Sequence, residues 1–156
     1  MPAFAPSYTD CTVYMYPSKS AAESGSKSGG SGFLMGLPSV HEGRGYPVVI
    51  TNRHVVTKGS LYARFNMQGK GIYVHKSEPD DWVVAEHDDL AALPIDLPDN
   101  VQIKCLAPDL CLAADCQIQG WKLCPGDEAV FFGRFVGHEH TQRNRPVVRF
   151  GHISML

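Results

Sequence analysis

The chain carries little net charge and no long apolar run. Sixteen acidic and fourteen basic side chains leave a formal charge of −2, and the only basic grouping is a sparse set of arginines between 134 and 149. Nucleic-acid binding depends on clustered Lys and Arg that neutralise phosphates, so we expect no nucleic-acid partner. No segment approaches the roughly 20 apolar residues that cross a bilayer, so we expect no membrane partner either.

The start of the chain shows no export signal, because residues 1–6 contain neither a basic region nor an apolar stretch. The cysteines are odd in number and form no Cys-x-x-Cys pair; they are Cys11, Cys105, Cys111, Cys116 and Cys124. This combination predicts reduced thiols, no disulfide and a cytoplasmic location. A zinc site is disfavoured, and the pair His138 and His140 lacks further ligands, so we expect no metal and no cofactor.

Long stretches of helical periodicity are also missing; the only helix candidates are the turn after His54 and parts of 99–116. The chain instead has 15 Gly and 11 Pro between short β-branched and aromatic runs. Strands are predicted at 11–17, 32–37, 46–51, 60–66, 71–76, 81–86, 89–95, 128–133 and 146–155. Such a series predicts an all-β fold, either a sandwich or a barrel. The Ser, Gly and Lys content of 18–32 predicts a flexible connector.

Five short motifs carry the functional information. In chain order they are Gly30-Ser31-Gly32-Phe33, Thr51-Asn52-Arg53-His54-Val55-Val56, Asp89-Leu90-Ala91-Ala92-Leu93, Gly126-Asp127-Glu128 before a strand that ends at Gly133, and Gly151-His152-Ile153-Ser154. Each motif alone is weak evidence for a protein family, but five motifs in this order and at these spacings are specific evidence.

Together the motifs resemble the trypsin-like (chymotrypsin-fold) serine proteases, and especially the bacterial high-temperature-requirement branch. The resemblance covers about 29–156 and corresponds to the N-terminal half of that fold. It implies an antiparallel six-stranded Greek-key β-barrel over about 29–133, the first of two barrels, with the second only begun. It also implies that the nucleophile, the oxyanion hole and the specificity pocket belong to the second barrel.

This resemblance divides the chain into three parts. Residues 1–28 form an N-terminal strand and the flexible connector. Residues 29–138 form the first barrel, which contains the His and Asp of the triad. Residues 139–156 form the linker and the first strand of the incomplete second barrel.

The resemblance implies that His54 and Asp89 are catalytic residues. A serine hydroxyl attacks a carbonyl only when a base takes its proton, and histidine serves because its unperturbed pKa lies near neutrality. His54 is therefore the predicted general base, and Asp89 the acid that orients its ring. Asp88 competes for this role, but Asp89 directly precedes the apolar run and is preferred.

No nucleophile is recognisable after Asp89. Ser154 is the only serine there, and its setting matches an opening strand rather than Gly-x-Ser-Gly. The resemblance therefore implies a serine endopeptidase portion that acts on polypeptides, needs its missing second barrel as partner, and is inactive alone. Two alternatives stay open: a non-catalytic trypsin-like domain that binds proteins or peptides, and a cysteine-nucleophile version of the fold.

Overall fold

The computed structural model describes residues 6–39, 45–110, 120, 123–134 and 142–154. Its strands are β1 (Thr12–Tyr16), β2 (Gly30–Pro38), β3 (Gly45–Thr51), β4 (Tyr62–Met67), β5 (Ile72–Lys76), β6 (Val83–Val84), β7 (Ala91–Pro94), β8 (Val101–Gln102), β9 (Glu128–Gly133) and β10 (Val147–His152). Its helices are α1 (Lys19–Ser24) and α2 (Arg53–Thr57), with 3₁₀ turns at Pro6–Cys11, Pro79–Asp81 and Pro108–Leu110. Within these residues, no helix is both long and apolar enough to cross a bilayer.

The first eight strands form one antiparallel sheet. Its order is β5-β4-β1-β2-β3-β7-β6, and β8 pairs with the far end of β4. The all-β expectation therefore holds in its coarse form, a mostly antiparallel sheet with few helices. The six-stranded closed barrel is not seen: among the described residues no ladder joins β6 to β5 or β8, so the sheet is open.

Strand β1 lies in the middle of this sheet, between β2 and β4, so the sheet includes residues before 29. All five of its residues are buried, because the sheet is covered on both faces there. Val13 and Met15 belong to the main core, the cluster of buried apolar side chains from β1–β4, β7, β8 and α2. Tyr14 and Tyr16 face a second cluster with two alanines of α1. Alternation along a strand sends neighbouring side chains to opposite faces, which explains the division.

The segment 18–32 is not the unstructured connector that its composition predicts. Ser18 caps α1 by accepting a hydrogen bond from the Ala21 N–H at 3.2 Å, and Gly25 ends the helix with a φ of 73°. Ala21 and Ala22 are buried against the tyrosines of β1. Serine commonly starts a helix and glycine commonly ends one. The composition averaged over 15 residues nevertheless hides a helix as short as α1.

Strands β9 and β10 pair only with each other among the described residues, in a second, two-stranded sheet. The sequence assigned β9 to the first barrel, and the structure pairs it instead with β10. Polar contacts join this sheet to the first. Arg134 donates to the Tyr16 hydroxyl at 3.1 Å, and Asn144 donates to the Arg64 carbonyl at 2.6 Å.

Cys11 is fully buried next to β1, and burial raises its pKa from 9.0 to about 11. Among the described residues, Cys11, Cys105 and Cys124 form no disulfide, while Cys111 and Cys116 lie outside the described residues. A raised pKa keeps the folded thiol protonated where the unfolded thiol has already ionised. Cys11 therefore contributes stability below about pH 9 that is lost as pH rises towards 11.

We expect the free energy of unfolding to fall by about 2–3 kcal/mol more in the wild type than in Cys11→Ala between pH 8 and pH 11. Urea unfolding at each pH measures this difference. Cys124→Ala is the matched control, because Cys124 is exposed and its removal should leave the wild-type slope intact. Parallel curves for the wild type and Cys11→Ala would contradict the assignment.

Candidate catalytic site

The pairing of β3 with β7 brings His54 and Asp89 together. Thr51, the last residue of β3, lies opposite Ala91, the first residue of β7. His54 follows Thr51 by three residues, and Asp89 precedes Ala91 by two. Because the strands are antiparallel, both residues emerge at the same end of the ladder, which closes their separation of 35 residues along the chain.

Helix α2 carries His54 and is fixed by burial of its apolar side. Val55 and Val56 are 4% and 6% exposed and join the main core with β3 and β7. A close approach of β2 completes the fit, since a Cβ on Gly30 would lie 2.7 Å from a Val55 methyl group. Glycine at this first motif therefore lets the helix that bears His54 pack against the sheet.

The His54 ring and the Asp89 carboxylate are directly hydrogen-bonded. His54 Nδ1 lies 2.6 Å from Asp89 Oδ2, and the backbone N–H of His54 donates to Asp89 Oδ1 at 2.9 Å. The expected contact is therefore confirmed, and it is made by Asp89 rather than Asp88. An ionised carboxylate can only accept, so Nδ1 is the donor; in the neutral ring Nε2 then carries the lone pair.

Both side chains of the pair are open to solvent, with 54% of His54 and 47% of Asp89 exposed. The backbone N–H of His54 and then its ring hold the pKa of Asp89 below its usual value. A lowered pKa means that the folded state favours the carboxylate, so this contribution to stability is present above pH 4 and disappears as pH falls through the folded pKa. Asp89 is therefore ionised at neutral pH, as an orienting acceptor must be.

Two residues that the sequence reasoning did not single out also reach Asp89 or its turn. The Asn52 side-chain amide donates to the Asp89 carbonyl at 3.2 Å and to Oδ2 at 3.3 Å. Arg53 Nη1 donates to the carbonyls of Ala85 and Glu86, both at 3.2 Å. Their position beside His54 in the second motif was the available signal, but the motif had been used only to place the histidine.

The remaining candidates lie elsewhere. Asp88 is exposed in the turn before Asp89, and Ser154 is exposed two residues beyond β10. His138 and His140 fall outside the described residues. In the described ranges, no group of three or more His, Cys, Asp or Glu side chains is arranged to hold a metal ion.

The arrangement can therefore act in proton transfer. It presents a histidine whose Nδ1 is engaged by a carboxylate and whose Nε2 can take a proton from another group. Comparison of the chain with protein-family models, curated proteins and solved structures gives no match in any of the three.

Proposed function

We propose that this chain supplies the His–Asp half of a trypsin-like serine endopeptidase. The observation that carries the proposal is the 2.6 Å contact between His54 Nδ1 and Asp89 Oδ2, reinforced by the backbone N–H of His54 on the other carboxylate oxygen. The five ordered motifs support the same assignment. The open antiparallel sheet would be the first barrel of the two-barrel fold, with the Greek-key closure as part of the proposal.

In the first half of the proposed mechanism, which leaves an acyl-serine for water to hydrolyse in the second half, His54 acts twice. Nε2 removes the proton from a serine hydroxyl as its oxygen attacks the scissile carbonyl of a polypeptide, and a tetrahedral intermediate forms. The imidazolium then gives this proton to the leaving amine as the carbon–nitrogen bond breaks. Asp89 keeps the ring in the Nδ1–H tautomer and stabilises the imidazolium, without taking the proton itself.

The nucleophile in this proposal comes from a second barrel outside the 156 residues. The hairpin β9–β10 is the proposed start of that barrel. Phe131 lies opposite Arg149 and Phe150 opposite Val130, so the two phenylalanines occupy opposite faces, and both are about three-fifths exposed. Apolar side chains open on both faces are typical of a surface that another element covers.

The direct test of this proposal is the reading frame beyond codon 156. A Gly-x-Ser-Gly sequence within about 60–80 further residues, roughly the size of such a barrel, would supply the nucleophile. A Gly-x-Cys-Gly sequence would point to the cysteine version. A frame that closes without either would contradict the peptidase and favour the non-catalytic binding domain.

The 156-residue chain alone is expected to show no turnover of unfolded casein above that of His54→Ala. General-base help is worth about 10²–10⁴-fold, and most of the remaining acceleration needs a nucleophile and oxyanion donors. A fluorescent casein assay of both purified chains measures this. Turnover by the wild type that is lost in His54→Ala would mean that a nucleophile lies within the chain, and Ser154 would be replaced first.

A further inference from the structure

We propose that Asn52 and Arg53 are positioning residues for the His54–Asp89 pair: Asn52 fixes the carboxylate of Asp89, and Arg53 fixes the turn that carries it. The catalytic meaning of this assignment rests on the proposed function, whereas the positioning itself is a property of the 156-residue chain. Three consecutive residues, Asn52 to His54, thereby all reach the segment from Ala85 to Asp89.

Asn52 occupies the N-cap position of α2 but does not cap the helix. Asparagine is favoured there because its side-chain oxygen accepts from the helix's first N–H groups, yet Asn52 makes no such bond. Its amide nitrogen instead bridges the carbonyl and the carboxylate of Asp89. An amide that donates both to the carbonyl and to the carboxylate of one residue restricts rotation about the Cα–Cβ bond of that residue. Asn52 therefore sets the rotamer of Asp89.

The turn that carries Asp89 is not ordered by burial, because residues 86–89 are all exposed. One backbone bond closes it, from the Ala85 N–H to the Leu90 carbonyl at 2.9 Å. Arg53, partly buried at the start of α2, adds a charged donor to two successive carbonyls on the same side of the turn. Hydrogen bonds from a charged donor are stronger than neutral ones, so Arg53 holds the turn against the helix that bears His54.

Such support matters more here than in a buried pair. Both partners are about half exposed, so water competes for the Asp89 oxygens and for His54 Nδ1. A catalytic group needs to be held within about 0.5 Å of its productive position, and neighbours with fixed rotamers supply that restraint. Asn52 and Arg53 are the described side chains that provide it from outside the pair.

The test is ¹⁵N NMR of the 156-residue chain, measuring the ratio of Nδ1–H to Nε2–H tautomer in neutral His54. We expect this ratio to fall about fivefold in both Asn52→Ala and Arg53→Gln. A fivefold change in this equilibrium corresponds to the net free energy of about one hydrogen bond. Asn52→Asp should lower it further, because a second carboxylate then faces Asp89. The pKa of Asp89, followed through its carboxyl carbon, should rise in all three variants.

Lys58→Gln is the matched control for Arg53→Gln, since it removes one positive charge directly after α2 from an exposed position. It should leave the tautomer ratio at the wild-type value. Backbone shifts of Thr51 and Ala91 report whether the β3–β7 ladder is intact. Asn52→Asp keeps a residue that is favoured at an N-cap, so a folded variant is secured for the measurement.

A wild-type ratio in Asn52→Ala, Asn52→Asp and Arg53→Gln, with the ladder intact, would overturn the positioning role. This readout needs no nucleophile and is independent of peptidase activity. If the tautomer ratio changes but the reading frame contains no nucleophile, the positioning role stands and the proposed function is wrong. If the ratio is unchanged but the two-barrel protein needs His54 for peptidase activity, the proposed function stands and the positioning role is wrong.

Discussion

In the two-barrel peptidase that we propose, replacing Asp89 by asparagine should lower kcat by about 10⁴-fold. Among the described residues, three groups donate to the carboxylate: the His54 backbone N–H, the His54 ring Nδ1–H and the Asn52 amide. An asparagine that accepts from the backbone N–H turns its own NH₂ towards Nδ1. The ring then has to accept at Nδ1 and carry its proton on Nε2, where it cannot take one from a nucleophile.

The matched control for this change is Asp88→Asn, which removes the same charge one residue earlier in the exposed turn. It should leave kcat within about twofold of the wild type, because a change in an exposed residue outside the pair has little effect. Steady-state hydrolysis of a fluorogenic peptide gives kcat for both. Equal losses in the two variants would mean that charge near the site matters and that the Asp89 hydrogen bonds do not.

The largest expected effect on stability is that of Phe65→Ala, about 3–5 kcal/mol. Phe65 is 3% exposed in β4, belongs to the main core and packs beside Tyr73 of β5 with ring centroids 6.3 Å apart. Removing its ring loses the burial free energy and leaves a cavity that the sheet cannot close, since β4 is paired with β1, β5 and β8.

Phe131→Ala is the same chemical change at a site that is 62% exposed, and it should alter the free energy of unfolding by no more than about 0.5 kcal/mol. Urea unfolding followed by Trp fluorescence compares the two. For a chain of this size, the loss in Phe65→Ala corresponds to a fall of about 10 °C in Tm. Similar effects of both substitutions would show that the core does not lie between β1, β4 and α2.

Local sequence signals were enough to predict most strands, and the resemblance carried by the five motifs predicted the meeting of His54 with Asp89. Short β-branched and aromatic runs predicted β1, β3, β4 and β5 within two residues of their bounds. The run before His54 and the run after Asp89 were both correctly predicted as strands. The pairing of β3 with β7, which no local pattern predicted, places the two residues at one end.

The parts that the sequence did not predict depend on contacts between distant segments. The central place of β1 follows from its pairing with β4, some 48 residues away, as in the contact of Arg64 with the Tyr16 hydroxyl. The link from Arg134 to the same hydroxyl spans 118 residues. No local pattern encodes such partners. Asn52 was missed because its motif had been used only to place His54, and its contact with Asp89 spans 37 residues.

The most direct measurement of the central claim is casein hydrolysis by the proposed two-barrel protein, compared with its His54→Ala variant. Peptidase activity that falls about 10⁶-fold, to the background level, in His54→Ala is the predicted result. His75→Ala, a change at another histidine on β5 of the same sheet, should retain activity. Hydrolysis that survives in His54→Ala, or a two-barrel protein with no peptidase activity, would contradict the assignment of this chain as the His–Asp half of a serine endopeptidase.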